Sequence, residues 1–191
     1  MEQRPVRIAC FGDSLTEGYG LASEEALPMV LERMLADEGV QANCLNFGVS
    51  GDTFEDGLAR IDTVLQAKPD AVILEFGAND SFMAYPPDSI KTTASSVIKA
   101  LLKQDLPILL IGITAVPDMG TEYKQSFDPI FPALVETFDL PLFPDILSSY
   151  FGDSSLTLLD GMHPNAGGVE AIARSLLPQV RELINTVQTR I

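Results

Sequence analysis

Residues 71–76, AVILEF, decide the fold that we predict for this chain of 191 residues. Five of the six side chains are apolar, and Glu75 alone is charged. A short run of this kind, without alternation of polar and apolar residues, is typical of a strand buried on both faces of a parallel sheet. Helices must cover both faces of such a sheet, so we expect the rest of the sequence to alternate strands with amphipathic helices.

The sequence on either side of this strand has the expected alternation. Apolar runs predict further strands over residues 6–11, 42–47, 108–113 and 140–143, of which the last is the weakest. Amphipathic patterns predict helices over residues 24–38, 53–66, 88–104, 122–138 and 165–187. These elements predict an α/β protein, a three-layer α/β/α sandwich around a five-stranded parallel sheet, in a single domain over residues 1–191.

Composition and charge exclude several classes of protein. With 46% hydrophobic and 20% charged residues, the chain has enough apolar side chains for a full core. It carries 12 Lys and Arg against 27 Asp and Glu, a formal charge of −15, which repels nucleic acids and anionic membrane surfaces. No apolar run approaches the roughly 20 residues of a membrane span. No signal peptide is visible, so we expect a cytoplasmic protein, or a periplasmic or secreted one if a signal peptide has been removed.

Cysteine and histidine are too rare for the common metal sites. Cys10 and Cys44 are the only cysteines and His163 is the only histidine, which excludes a disulfide scaffold, a four-cysteine zinc site and a multi-histidine metal site. The two cysteines fall on neighbouring predicted strands, where we favour two buried thiols over a disulfide. Any chemistry that needs an imidazole must use His163.

Polar turns that contain glycine follow the predicted strands. The first strand runs into FGDSLTEG (residues 11–18), the second into NFGVSGDT (46–53) and the third into FGAND (76–80), while DGMHPN (160–165) precedes the last helix. Ligands of parallel sheets bind outside the carboxyl ends of the strands. We therefore expect these four turns to meet at one site.

A serine, a histidine and an aspartate in these turns have the chemistry for acyl transfer. Ser14 follows a strand and is suited to be a nucleophile, although a serine here is equally suited to cap a helix. His163 lies in a loop, where it can take the serine proton or simply face solvent. Asp160 lies three residues earlier, close enough to orient the imidazole.

Candidate oxyanion donors occupy two other turns. The Gly51 N–H and the Asn79 side-chain amide, with the Ser14 N–H, can stabilise the negative oxygen that forms during ester cleavage. Taken singly, Gly51 is also explained by a tight turn, and Asn79 by a turn cap. It is the presence of all these residues in separate turns at one edge that favours the catalytic interpretation.

Together the four segments resemble the sequence blocks of the GDSL esterase family, also called SGNH hydrolases, in their order and spacing. The similarity extends over nearly the whole chain and is greatest to the thioesterase I / lysophospholipase-type arylesterases, which share VSGDT (49–53) and GLAR (57–60). The resemblance implies the SGNH hydrolase fold, a flavodoxin-like sheet in the order 2-1-3-4-5. It also implies Ser14 as nucleophile, His163 as base and Asp160 as the triad acid, with Gly51 and Asn79 as oxyanion donors. It implies no metal and no organic cofactor.

Other acids near these motifs have no predicted catalytic role. Three are interpreted as structural residues that hold turns: Asp13, Asp52 and Asp80. Glu75 lies within a buried strand, where a carboxylate needs a partner, and Arg60 and Lys68 are the candidates.

The substrate is predicted to be a small-molecule ester. The apolar loop after FGAND and the segment after the fourth strand supply the candidate substrate contacts, although the same side chains are suited simply to pack the loop: Phe82, Met83, Tyr85, Met119 and Tyr123. The strong negative charge favours carboxylic esters and lysophospholipids over coenzyme A thioesters.

Two other functions compete with this one. A carbohydrate O-acetylesterase of the same superfamily would use the same triad, but the chain has no Trp for sugar stacking. A non-catalytic flavodoxin-like binding module would explain FGDSLTEG as an anion-binding turn, and would leave DGMHPN and FGAND unexplained.

Overall fold

The computed structural model describes residues 4–190, so residues 1–3 and 191 of the predicted domain lie outside the described residues. Five strands form one sheet: β1 Val6–Gly12, β2 Ala42–Gly48, β3 Ala71–Glu75, β4 Ile108–Ile111 and β5 Leu142–Phe143. Every neighbouring pair is parallel, and the order is β2-β1-β3-β4-β5. The predicted sheet and its order are confirmed.

Helices cover both faces of the sheet. They are α1 Ser14–Glu17, α2 Leu27–Asp37, α3 Phe54–Ala59, α4 Ile61–Gln66, α5 Ala78–Phe82, α6 Pro87–Leu102, α7 Thr121–Phe127, α8 Ile130–Phe138 and α9 Ala166–Gln188. Helices α2 and α9 pack together on one face, and α6 packs against α3 and α8 on the other. Right-handed connections between parallel strands require this division when the strand order reverses at β1. Among the described residues, no helix combines the length and apolar character that a membrane span requires.

Three predicted helices differ from the observed ones, and proline explains two of the differences. The helix predicted over 122–138 is divided at Pro129, which lacks an N–H group and whose ring clashes with the preceding turn. The helix predicted from residue 24 begins at Leu27, because Pro28 fits only the first turn of a helix. The helix predicted over 53–66 is divided at Arg60, whose φ of −112° leaves the helical range.

Phenylalanine side chains fill the core below the carboxyl ends of the strands. The rings of Phe11 and Phe76 meet edge to face with centroids 5.0 Å apart, and Phe54 lies 5.5 Å from Phe76. Gly57 of α3 is required here, since a Cβ atom at this position would lie 2.8 Å from the Phe76 ring. The turns that follow the strands therefore rest on a closely packed aromatic layer.

Both cysteines are free and buried, as predicted. Interaction with the Cys44 thiol and desolvation raise the pKa of Cys10 well above its ordinary value. The thiolate is the reactive form of cysteine, so Cys10 acts as a small apolar residue of β1.

Candidate active site

Ser14 is the first residue of α1, immediately after the loop that leaves β1. Asp13 caps this helix, because its side chain accepts the Leu15 N–H at 3.0 Å. The alternative in which Ser14 itself is the cap is therefore wrong, and its hydroxyl is available for other contacts. Asp13 holds the turn, as predicted.

The structure brings Ser14, His163 and Asp160 into one hydrogen-bonded chain. His163 Nε2 lies 3.1 Å from Ser14 Oγ, and His163 Nδ1 lies 2.6 Å from Asp160 Oδ2. With Nδ1–H donating to the carboxylate, Nε2 is left as the acceptor for the serine proton. This is the arrangement in which an imidazole can act as general base towards a hydroxyl group.

The loop before α9 keeps Asp160 ionised. Partial desolvation raises the pKa of this carboxyl group, but hydrogen bonds from the His163 ring and from the N–H groups of Met162 and His163 outweigh that effect and lower the pKa to about 2. The carboxylate is therefore ionised in neutral and mildly acidic solution. It can both orient the ring and stabilise an imidazolium ion.

Two tyrosines that sequence reasoning missed support His163. The Tyr150 hydroxyl donates to the Met162 carbonyl at 2.9 Å, and the Tyr19 ring lies against the imidazole with centroids 4.4 Å apart. A further backbone hydrogen bond, from Leu158 N–H to the His163 carbonyl at 2.8 Å, closes the loop. Only the Tyr19 contact joins residues far apart in the chain, and none of these contacts belongs to the four motifs.

Asn79 and Gly51, the predicted oxyanion donors, lie on the two neighbouring turns. Asn79 is the second residue of α5, and its Nδ2 donates to the Asp52 carbonyl at 2.9 Å and lies 3.3 Å from Asp13 Oδ2. Asn79 lines the same cavity as Ser14 and His163. Gly51 is exposed in the turn after β2 with a φ of +88°, which glycine adopts without strain. Its N–H group remains a predicted donor.

Arg60 ties the turn after β2 to the nucleophile segment. Its Nε lies 2.6 Å from Asp52 Oδ2, and its Nη2 donates to the carbonyls of Gly12 and Phe47 at 3.0 Å each. One guanidinium group thus joins the ends of β1 and β2. Asp52 is structural, as predicted, with Arg60 as its partner.

The predicted partners of Glu75 are wrong. The Arg60 guanidinium is held by Asp52, and Lys68 is exposed beyond α4. Glu75 Oε2 instead accepts hydrogen bonds from the Thr16 hydroxyl at 2.8 Å and, at 3.3 Å, from the N–H that follows Gly12. The prediction assumed that Glu75 is an ionised carboxylate that needs a cationic partner. In the structure its hydrogen-bond donors are neutral, a hydroxyl group and a backbone N–H.

A cavity of about 110 Å³ opens beside Ser14 and His163. Apolar side chains dominate its wall, including Ile113 and Val116 after β4, Leu147 and Phe151 before the histidine loop, and Phe82 of α5. Among the five predicted substrate contacts, only Phe82 lines this cavity. The side chains of Met83 and Tyr85 are exposed. Those of Met119 and Tyr123 are partly buried against the core. The walls on the β4 side were missed because they belong to turns without a motif.

A serine–histidine–aspartate chain at the carboxyl edge of a parallel sheet, beside an apolar cavity, has the form of a serine hydrolase site. Comparison with known proteins gives the same class. Residues 10–171 match the GDSL-like lipase/acylhydrolase family. The chain belongs to this family, and the predicted SGNH hydrolase fold is confirmed.

Named relatives of this chain are esterases. An arylesterase of Vibrio mimicus is 32% identical over 85% of this chain and 82% of its own length. Thioesterase 1/protease 1/lysophospholipase L1 of Escherichia coli K12 is 30% identical over 93% of this chain and 85% of its own length. The crystal structure of AlinE4, an SGNH-hydrolase family esterase, is 38% identical and superposes with a TM-score of 0.79 over 95% of this chain and 97% of that one.

Proposed function

We propose that this hydrolase cleaves carboxylic esters through an acyl-enzyme on Ser14, with His163 as general base and Asp160 as the residue that orients it. The observation that carries the proposal is the distance of 3.1 Å between His163 Nε2 and Ser14 Oγ, with Asp160 hydrogen-bonded to the far ring nitrogen. Geometry of this kind is the first requirement for a nucleophile and its base.

The reaction proceeds in two matched halves. As Ser14 Oγ bonds to the ester carbonyl carbon, its proton passes to His163 Nε2 and the carbonyl electrons move to oxygen. Collapse of this tetrahedral species breaks the bond to the alcohol, which leaves with the proton from His163. Water then attacks the acyl-enzyme in the same way, so that a carboxylic acid is released and the serine hydroxyl is restored.

The developing oxyanion is stabilised by the Ser14 N–H, the Gly51 N–H and the Asn79 amide. One Asn79 amide proton is committed to the Asp52 carbonyl at 2.9 Å. The other faces Asp13 at 3.3 Å, a long contact that can be given up for a charged oxygen. One such donor contributes about 3–4 kcal/mol to transition-state stabilisation.

The cavity favours a short acyl group. Its volume of about 110 Å³ is smaller than an apolar cavity of about 150 Å³ that holds benzene in another protein. An acyl group of a few carbons fits inside, and a longer chain must extend past the exposed residues of the cavity wall, which are Phe82, Phe151 and Met162. We therefore propose aryl esters and short-chain acyl esters as the preferred substrates, with lysophospholipids and thioesters as poorer ones.

A carbohydrate O-acetylesterase is the second candidate, because the same small cavity also accommodates an acetyl group. Its mouth is lined by Phe82, Phe151 and Met162 rather than by polar groups that would bind sugar hydroxyls. The first proposal is therefore preferred. The binding-module alternative is not proposed, since the family consists of hydrolases.

The substrate proposal is tested by kcat/KM over p-nitrophenyl esters from acetyl to dodecanoyl, with Ser14→Ala as the blank. We expect the highest values for short chains and a decline once the chain outgrows the cavity. A maximum at long chains would contradict the cavity argument. If an acetylated sugar is cleaved with a higher kcat/KM than p-nitrophenyl acetate, the second candidate replaces the first.

A further inference from the structure

Two carboxyl groups are buried together directly below the nucleophile. Glu75 at the end of β3 is 2% exposed and Asp13 in the loop after β1 is fully buried. The two residues are in direct contact, since the Asp13 N–H donates to Glu75 Oε2 at 3.3 Å, and their carboxyl groups influence each other. Among the described residues, neither forms a salt bridge with a basic side chain. Two carboxylates that share a buried site cannot both be ionised, so the pair holds a proton.

The hydrogen bonds indicate which of the two carries that proton. Both oxygens of Asp13 face donors, Oδ1 the Leu15 N–H at 3.0 Å and Oδ2 the Asn79 amide at 3.3 Å. Glu75 Oε2 also accepts two hydrogen bonds, but the buried Glu75 Oε1 has no partner among the described donors. A proton on Glu75 turns this carboxyl group into a donor, for which the neighbouring Asp13 carboxylate is the acceptor.

We propose that Glu75 is a positioning residue, an uncharged carboxylic acid that donates a hydrogen bond to the Asp13 carboxylate and so fixes the Ser14 segment and the Asn79 amide. The proposal rests on the proposed function of Ser14 and Asn79. Glu75 accepts from the Asp13 N–H and the Thr16 hydroxyl, one on each side of the nucleophile. The proposed proton on Glu75 adds a hydrogen bond to the Asp13 carboxylate, which in turn accepts a hydrogen bond from the Asn79 amide.

Loss of the shared proton would place two negative charges below Ser14. Desolvation raises the pKa of both carboxyl groups above their ordinary values, so the pair keeps a proton at pH values at which exposed carboxyl groups are ionised and loses it as the pH rises. The other ionisable groups that face the pair are Asp80, whose carboxylate repels the negative charge, the His163 imidazole and the Tyr150 phenol. Arg60 directs its Nε to Asp52 and its Nη2 to the carbonyls of Gly12 and Phe47, and it forms no salt bridge with either member of the pair.

Infrared spectroscopy of the whole protein at pH 7 tests the protonation state without any substrate. Glu75→Gln removes the proposed carboxylic acid, so its spectrum should lack one C=O stretching band of a protonated carboxyl group. Glu136→Gln, a change at an exposed position of α8, is the matched control and should leave that band unchanged. Identical carboxylic acid absorption in wild type and Glu75→Gln would overturn the proposal, whether or not the protein proves to be an esterase.

Kinetics test the positioning role. Glu75→Ala should lower kcat/KM by about 100-fold, the cost of a misplacement of about 1 Å at a reacting group. Glu75→Gln should recover at least about tenfold of that loss, since its amide donates to Asp13 as the acid does. In the wild type we expect kcat to decline in alkaline solution, because the carboxyl pair loses its proton. Glu75→Gln has no such proton to lose, so its kcat should not show this decline. Equal losses in the two variants, or the same alkaline profile in Glu75→Gln and wild type, would contradict the proposal. If Glu75→Ala does not fold, the profile and the infrared band of Glu75→Gln decide.

Discussion

His163 Nε2 lies 3.1 Å from Ser14 Oγ, although 149 residues separate the two in the chain. This contact depends on two independent sets of hydrogen bonds, one for each residue. Asp13 and Glu75 fix the segment after β1, and the hydrogen bonds of Asp160 fix the loop before α9. The active site is therefore a contact between two rigid turns, and changes to either support should alter catalysis more than they alter the fold.

Asp160→Asn should lower kcat by about 10⁴-fold, because an amide no longer selects the tautomer with the proton on Nδ1. The pKa of Asp160 is about 2, so this carboxylate stays ionised through mildly acidic solution. A decline of wild-type activity in mildly acidic solution would therefore not come from protonation of Asp160. Asp153→Asn, a change to an exposed carboxylate that caps a nearby turn, is the control and should retain wild-type kcat. A wild-type kcat in Asp160→Asn would contradict the proposed role of Asp160 in orienting His163.

Tyr150→Phe should loosen the loop that carries His163. The hydroxyl is nearly buried and donates to the Met162 carbonyl, so its removal should lower the free energy of unfolding by about 1–2 kcal/mol. Urea unfolding measures this loss. Tyr123→Phe removes an exposed hydroxyl bond and should cost less. Equal stability losses in the two variants would show that the Tyr150 bond has no special role.

Arg60→Ala should destabilise the protein by about 2–3 kcal/mol. The change leaves the Asp52 carboxylate without its partner and the carbonyls of Gly12 and Phe47 without a charged donor. Arg174→Ala is the matched control, since Arg174 is largely exposed and pairs with Glu170 at 3.8 Å. We expect this control to change stability by less than about 0.5 kcal/mol in urea unfolding. Similar values for both arginines would contradict the structural role of Arg60.

Asp80 should make the protein less stable as the pH rises. Desolvation raises the pKa of this buried carboxyl group from 3.8 to about 6, so the folded protein binds the proton more tightly than the unfolded chain does. The difference is worth about 3 kcal/mol, fully present below pH 4 and lost as the pH rises through 6.

Asp80→Asn removes this titration and keeps an acceptor for the Phe54 N–H. Urea unfolding from pH 4 to pH 8 should therefore show a smaller loss of stability in this variant than in wild type. The exposed Asp118→Asn should follow the wild-type curve. Parallel curves for wild type and Asp80→Asn would show that the folded-state pKa is not raised.

The sequence predicts the sheet well because β3 and β4 are short, largely apolar runs, a pattern that is typical of strands buried on both faces of a sheet. Helix boundaries depend on single residues, and Pro129 divides a helix that periodicity alone extends through it. The contact between Ser14 and His163 was predictable. Ser14 follows a strand and His163 precedes a helix, and both positions lie at the same edge of the sheet. The supports from Tyr19 and Tyr150 were not predictable, because they are contacts across the fold.

Glu75 shows the limit of reasoning about charge. A buried glutamate in a strand suggests a cationic partner, and the sequence offers Arg60 and Lys68. The structure instead places a second carboxyl group, Asp13, beside it. The cavity wall formed by Ile113 and Leu147 was missed for a related reason, since apolar residues in turns give no indication of which space they enclose.

Reaction with a fluorophosphonate, read by intact mass, tests the central claim that Ser14 is the nucleophile activated by His163. The reagent forms an O–P bond with a serine that a neighbouring base activates, and fluoride leaves. We expect one adduct on the wild-type chain, located at Ser14 by peptide mapping, and none on Ser14→Ala under the same conditions. An adduct of equal yield on Ser14→Ala, or no adduct on the wild type, would contradict the claim.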